Sequence, residues 1–364
     1  MKNRRLDVNN PQPACCTTTT VKAGSITRQT AYANCAFNSQ SLLVIINIVT
    51  KLLDAPHRRR ITGLVLHEKG SMEPASLENL CVLYHSANYI VVNKHWDIRI
   101  DSKMWYEKQT VQSQLKHRFP ELADPGTYYG FRFCHQLDFS TSGALCVALN
   151  KAAAGHAYRC FKDRLVTKAY LALVRDIVAE EKMALDFAIG KNTTEGKTHM
   201  MCTEGTDGCE NPKTCQTELT VLEYGEYDGD PVTKVLLQPL TGRTHQLRVH
   251  CSAVDHPIVG DYTYSLRTDN APYRMMLHAY FLHIPLENEP IHVTAPDPFV
   301  PTLDSKWAPQ RCVNVLEDLL KNILTKPQTE IQDDPESVHG RSSPVESEEQ
   351  QAQCQQWLCE WNLD

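Results

Sequence analysis

Two polar segments hold the side chains whose types and spacing could do chemistry. The first is His135-Gln136-Leu137-Asp138-Phe139-Ser140-Thr141-Ser142-Gly143, preceded by Tyr128, Tyr129, Phe131, Arg132 and Phe133. An aspartate at the mouth of an apolar strand, followed by hydroxyl residues and a glycine, is placed to act as a nucleophile or acid–base group. The glycine permits a tight backbone, and Thr141 and Ser142 can hydrogen-bond locally. Taken alone, such an aspartate is more often the start of a structural Asx turn. The second segment is Leu240-Thr241-Gly242-Arg243-Thr244-His245-Gln246-Leu247-Arg248-Val249-His250. A strand ends in a glycine turn there and a short helix begins, with Thr244 as the expected N-cap. Arg248 falls near the first turn, where the helix dipole disfavours a cation. A partly buried carboxylate such as Asp138 would compensate it. The plainer alternatives are an exposed arginine on a surface helix, and ordinary polar surface for Arg243, His245 and His250, which could otherwise contact phosphate.

A third constellation points to another class of protein. His199, Cys202, Cys209 and Cys215 lie in one polar stretch and could form a His/Cys₃ zinc set in an interaction module. Their spacing lacks the close cysteine pairs typical of structural zinc. Free thiols are the alternative, for these and for Cys354 and Cys359.

The elements that must position these residues can be read from periodicity. Cys81–Tyr84 and Tyr89–Asn93 are strand-like runs joined by a polar turn. Trp105–Arg118 has helical character. Gly143–Leu149 reads as a buried strand, and Ala152–Asp163 as a helix with Ala154, Ala157, Tyr158 and Phe161 on one face. Ala169–Val174 is a strand, and Gly190–Lys213 is polar and loop-rich. Thr217–Leu222 and Val232–Gln238 form a strand pair across a Gly-Glu-Tyr-Asp-Gly-Asp turn. The short helix after Thr244 places Leu247, Cys251 and Val254 together. Met275–Ile284 and Ile291–Thr294 are late strands, and Asp304–Leu324 is expected to be helical. Irregular alternation with few long helices predicts an α+β fold with a mixed, mainly antiparallel sheet.

Bulk properties bound the rest. The chain has 364 residues, 42% hydrophobic and 22% charged, as for an ordinary soluble protein. It has no eighteen-residue apolar run, so no membrane partner is expected. Its 14 cysteines are scattered, several within apolar runs, which reads as reduced thiols inside a cell. Cytoplasm or nucleus is the expected compartment. The few acids and many Ser, Thr and Arg near the start also fit a mitochondrial transit peptide. Net charge is −6, unevenly spread: residues 1–70 carry ten basic and three acidic side chains, and residues 327–364 carry nine acidic against Arg341 alone. Bulk charge therefore gives no support for nucleic-acid binding, and any phosphate-binding surface must be a local patch. Three regions are expected: a disordered basic extension over 1–71, with Met72 as a second possible start; a folded domain over 72–326; and an acidic disordered tail over 327–364. The apolar end Trp357–Trp361 reads as a docking peptide or as a short helix folded back on the domain.

The two polar segments, with Lys168-Ala169-Tyr170 between them, resemble the RluA-type pseudouridine synthases. The family motif His-Arg-Leu-Asp-x-x-Thr-Ser-Gly stands here as HQLDFSTSG, Lys-x-Tyr-x-Ala as KAYLA, and Gly-Arg-Thr-His-Gln-Leu-Arg is intact at 242–248. The early Asn-Lys-Pro-x-Gly segment is similar to Asn93-Lys94-His95-Trp96-Asp97. Further along come His256-Pro-Ile-Val-Gly-Asp261, Leu277-His-Ala279 and Ala295-Pro-Asp-Pro298, so the resemblance covers about 80–300. It implies a pseudouridine synthase fold, with flanking helices and a central cleft crossing the sheet. It implies isomerisation of uridine to pseudouridine in RNA (rRNA, tRNA or mRNA), by a monomer with no metal and no organic cofactor. Asp138 would be the catalytic carboxylate. Arg248 would pair with it, and Tyr170 would stack on the target base and take its C5 proton. His135, Gln136, Thr141, Lys168, Arg243 and His245 would contact the substrate. Two positions depart from the family. Gln136 replaces an arginine that helps hold the flipped nucleotide, and Lys94-His-Trp-Asp lacks the proline and glycine. The rival function is a non-catalytic RNA-binding protein on the same fold.

Overall fold

The computed structural model describes residues 73–102, 107–127 and 130–325. The expected basic extension, the acidic tail with Trp357–Trp361, and Tyr128 and Tyr129 lie outside the described residues. In chain order the elements are β1 (Cys81–His85), β2 (Tyr89–Lys94), α1 (Val111–Arg118), β3 (Arg132–Phe133), β4 (Ser142–Ala148), α2 (Lys151–Lys162), β5 (Thr167–Arg175), β6 (Lys182–Leu185), β7 (Ile189–Asn192), β8 (Met201–Thr203), β9 (Cys209–Lys213), β10 (Thr217–Tyr227), β11 (Asp230–Pro239), α3 (Gln246–Ala253), β12 (Leu277–Ile284), β13 (Ile291–Thr294), β14 (Trp307–Cys312) and α4 (Leu316–Thr325).

Eleven of the strands form one mixed sheet with the path β1-β2-β4-β12-β5-β11-β10-β14, flanked by β13, β3 and β6. Only the β12–β4 pair is parallel; the rest is antiparallel, as the strand pattern predicted. The period of two is visible in β2 and β4. Tyr89, Val91, Ala144, Cys146 and Ala148 pack into one cluster, while Ile90, Val92, Leu145 and Val147 pack into another on the opposite face. Helix α2 covers the first face through Ala153, Ala157 and Cys160, and α1 covers the second through Val111 and Leu115. Both faces of these strands are dry, so their sequences are continuously apolar instead of alternating.

Gly143 fixes the one parallel contact. Its φ is +112°, and a Cβ there would lie 2.2 Å from the carbonyl oxygen of Ala279. No side chain fits, so the glycine is what lets β4 approach β12.

Several expectations need correction. Gly190–Lys213 is not loop-rich but holds the small sheet β8-β7-β9. Its strands are three to five residues long and polar, which conceals them. The turn between β10 and β11 is only Asp228-Gly229, both with positive φ, so the strands extend through the Gly-Glu-Tyr run that reads as loop. The expected Asp304–Leu324 helix is half strand. Trp307–Cys312 pairs with β10 as the end strand of the sheet path, an edge position where Pro309 is tolerated. Of the expected Trp105–Arg118 helix, Trp105 and Tyr106 lie outside the described residues, and α1 begins at Val111 because Thr110 caps it: its hydroxyl accepts from the Ser113 amide while the Ser113 hydroxyl accepts from the Thr110 amide. Helix α2 keeps its expected place, with its buried line set by Ala153, Ala157 and Cys160.

Candidate active site

The four central strands deliver the functional side chains to one place. Asp138 sits in the turn that enters β4, closed by a hydrogen bond from the Thr141 amide to the Asp138 carbonyl. Tyr170 lies in β5, paired with Ala279 of β12 and Leu237 of β11. Strand β11 runs out at Pro239 into the Gly242 turn and α3, which carries Arg248. Between them is a cleft of about 850 Å³. His135, Gln136, Asp138, Thr141, Lys168, Tyr170, Arg243, His245 and Arg248 all line it. Segments more than a hundred residues apart in sequence thus converge.

The pairing of Arg248 differs from the expected one. Its guanidinium grips Asp261 with two short bonds, Nε to Oδ2 at 2.7 Å and Nη2 to Oδ1 at 2.8 Å. Asp138 is a secondary partner, with its Oδ2 3.5 Å from Nη1. The fork therefore rests on Asp261, whose side chain is fully buried, and presents its remaining edge to Asp138, whose side chain is 29% exposed in the cleft. Burial works against the Arg248 charge, but the hydrogen bonds and charge of Asp261 more than reverse that and raise its pKa. The ring of Tyr264 lies under the guanidinium at 4.9 Å. Asp261 also accepts from the amides of Thr263 and Tyr264, so its own position is over-determined.

Helix α3 is not capped by Thr244. Its N-cap is His245, in the left-handed region at φ 54° and without a side-chain cap bond. Gln246 organises the turn instead: its carbonyl oxygen accepts from the Arg243 amide and the Thr241 hydroxyl, and its amide donates to Gln216 and Thr217. The expected face of Leu247 and Cys251 is buried in the main core, with Val254 against it.

Lys94 is the second residue that sequence reasoning left out. It is fully buried, and its ammonium donates to the carbonyls of His95 (2.9 Å), Phe139 (2.9 Å) and Thr141 (2.8 Å). It therefore ties down the Asp138 turn at Phe139 and Thr141. Burial, helped by nearby Arg274, lowers its pKa to about 7, with Asp138 pulling the other way. Arg274 is also buried. It donates to the Ser142 hydroxyl and to the carbonyls of Met275 and Leu277, under the ring of Trp96. The signal that could have found Lys94 is its place in the Asn-Lys segment, and for Asp261 its place after His-Pro-Ile-Val-Gly.

Two expected substrate contacts each have a ring nitrogen engaged elsewhere. His135 accepts the Cys146 amide through Nε2 at 3.0 Å and stacks on Phe161. Burial and then Lys168 lower its pKa to about 3, so it stands as a neutral ring. His245 shares a 2.9 Å hydrogen bond with the Tyr264 hydroxyl. Gln136 is exposed at the rim of the cleft. Tyr170 is kept a neutral phenol, its pKa raised by burial and by Asp138. As for zinc, Cys215 faces His250 and the Phe187 carbonyl. No group of three or more potential metal ligands occurs among the described residues.

A family model for RNA pseudouridylate synthase matches residues 88–253, which take in every expected site residue. The zebrafish (Danio rerio) RNA pseudouridylate synthase domain-containing protein 1 is 86% identical over 293 residues, covering 80% of this chain and 100% of that protein. The chain belongs to the RNA pseudouridylate synthase family. More distantly, the dual-specificity RNA pseudouridine synthase RluA of Escherichia coli K12 is 32% identical over 207 residues, 56% of this chain and 86% of that one. A solved structure of human RNA pseudouridylate synthase domain containing 1 superposes with a TM-score of 0.64 at 57% identity, covering 70% of this chain and 99% of that one. The mixed sheet with few helices is thus the family's fold, and RNA is the substrate class that the family implies.

Proposed function

We propose that this chain converts uridine to pseudouridine in RNA, with Asp138 as the catalytic carboxylate acting within residues 72–326. One observation carries the reading: Asp138 is open to the cleft while the Arg248 edge beside it, 3.5 Å away, is locked from behind by buried Asp261. A fixed cation beside a solvent-reachable carboxylate orients that carboxylate toward the cleft.

The reaction breaks the bond between N1 and C1′ and forms one between C5 and C1′. C5 loses a proton and N1 gains one, so the formula is unchanged and no redox partner is needed. Asp138 serves as the nucleophile or the acid–base group for the detachment. A uridine stacked in a helix hides both C1′ and C5, so the target must be extruded into the cleft. Tyr170 stacks on the extruded base. Its phenol holds its proton tightly and accepts another poorly, so stacking suits it better than taking the C5 proton. Arg243 and Lys168 line the same cleft and supply cations for the backbone. Gln136 leaves one rim of the cleft neutral where relatives in the family carry an arginine. The molecule works as a monomer inside the cell.

The test is direct detection of pseudouridine after incubating the purified full-length chain with RNA. The uridines modified should be those that lose pseudouridine from cellular RNA when the protein is removed. RNA binding with no product formed would favour the rival, a non-catalytic RNA-binding protein.

A further inference from the structure

The main cleft has a side groove of about 350 Å³, lined by the end of α2, the turn after it, and the loop 240–243. Its polar wall is made of Lys162, Arg164, Lys168 and Arg243, and no carboxylate lines it. Lys162, Lys168 and Arg243 also line the main cleft, so groove and cleft are continuous. In a chain with a net charge of −6, four cations on one wall without an acid are the local patch that bulk composition could not reveal.

Three of these cations have ordinary structural explanations open to them. Lys162 complements the negative end of α2. Arg243 donates to the Thr214 carbonyl. Arg164 takes the left-handed turn after the helix, at φ 57°. Lys168 does not fit so simply. Its ammonium can donate three hydrogen bonds, and among the described residues it makes one, a long 3.4 Å contact to the Thr241 carbonyl. Burial lowers its pKa to about 8. An ammonium half removed from water and short of acceptors is stabilised by an anion placed against it. Gly242 stands opposite, where even an added Cβ would be 3.6 Å from that nitrogen.

We propose that this groove binds the ribose-phosphate backbone of the RNA strand next to the extruded nucleotide, with Lys168 and Arg243 at its junction with the cleft and Lys162 and Arg164 along its outer course. The inference rests on the reading of the cleft as the uridine site and gives that site a direction: the strand leaves past the end of α2. It also explains how the chain grips RNA with a neutral Gln136. The grip is moved from the Asp138 loop to the opposite wall.

The experiment measures dissociation constants of the full-length protein for a labelled single-stranded uridine-rich RNA across a salt series. It compares wild type, Lys162→Gln with Arg164→Gln, and Lys306→Gln with Lys321→Gln, a pair outside the groove with equal charge loss. Pseudouridine yield and melting temperature are read on the same samples. For single strands each lost phosphate contact removes about 0.7 from the slope of log K against log salt. The groove pair should thus flatten the slope by roughly 1.4 and weaken binding about tenfold or more near 0.1 M salt. Unchanged melting and an unaffected control pair are expected. Equal affinity and slope in wild type and groove variant would overturn the proposal. So would equal losses in groove and control pairs, which would mean a general charge effect. If groove-dependent binding is seen but wild type makes no pseudouridine, the groove stands and the isomerase reading falls.

Discussion

Asp138 is approached by buried cations from two sides, and the two sides are built on opposite principles. On the α3 side, Arg248 rests in a two-pronged grip on Asp261, at 2.7 and 2.8 Å. On the β2 side, Lys94 is fully buried and its ammonium hydrogen-bonds three carbonyls and no carboxylate among the described residues. The consequences are opposite as well. Asp261 raises the pKa of Arg248, whereas burial lowers that of Lys94 to about 7. A buried cation with its own anion is fixed in charge and place. One hydrogen-bonded only to neutral carbonyls orders the backbone just as well, but its proton is more loosely held. The first arrangement aims a charge at Asp138; the second shapes the turn that carries it.

The largest effect is expected where the paired side is broken. Asp261→Ala leaves a buried guanidinium with the 3.5 Å contact to Asp138 as its remaining ion pair among the described residues, and such losses cost about 3–5 kcal/mol. Denaturant unfolding should show it, and Arg248→Lys should restore little of an Arg248→Ala loss, since an ammonium cannot reproduce the fork. Near-native stability of Asp261→Ala would mean that Asp138, and not Asp261, is the partner that matters.

Breaking the unpaired side should cost less and depend on pH. Lys94→Met leaves three carbonyls without their donor, about 1–3 kcal/mol after allowing for the removed buried charge. The ordinary lysine value is 10.5 and the folded one about 7. Between those values the unfolded chain binds more protons, so the contribution of Lys94 to stability rises with pH, by at most about 1.4 kcal/mol per unit. Below about pH 7 it is flat. Unfolding curves at pH 6, 7, 8 and 9 should rise more steeply between pH 7 and 9 in wild type than in Lys94→Met, where only the smaller rise from Lys168, with its value near 8, remains. Arg248→Ala should keep the rise, because Lys94 remains. Parallel pH profiles for wild type and Lys94→Met would remove the contrast between the two sides.

The smallest effect is expected at Thr244. It precedes α3 but makes no cap, and Thr244→Ala should change stability by under about 0.5 kcal/mol. Thr110→Ala, which removes the capping box of α1, should cost about 1 kcal/mol. Equal losses would show that Thr244 does hold the start of α3.

The same contrast explains what could be read in the sequence. HQLDFSTSG, KAYLA and GRTHQLR put every expected residue in one cleft, because short motifs carry the residues that chemistry needs. The partners that position them are not in the motifs. Asp261 reaches Arg248 from 13 positions downstream, and Lys94 reaches Thr141 from 47 positions upstream. Neither distance has a period. Continuous apolar runs made β2, β4 and β5 legible, since both faces are buried there. Strands β7, β8 and β9 lie in a small polar sheet, and β14 is an edge with five of its six residues exposed, so neither leaves an alternating pattern. Thr244 misled because hydroxyls favour N-caps in general, whereas here Gln246 ties the turn from inside the helix.

The reading depends most directly on the Asp138 carboxylate. Asn has nearly the same shape but neither charge nor useful nucleophilicity. The decisive measurement is pseudouridine yield on a defined RNA for wild type and Asp138→Asn, with RNA affinity and a melting curve on each. An active wild type beside an Asp138→Asn protein that folds, binds RNA and yields only background pseudouridine is the expected result. Turnover by Asp138→Asn comparable to wild type would contradict it.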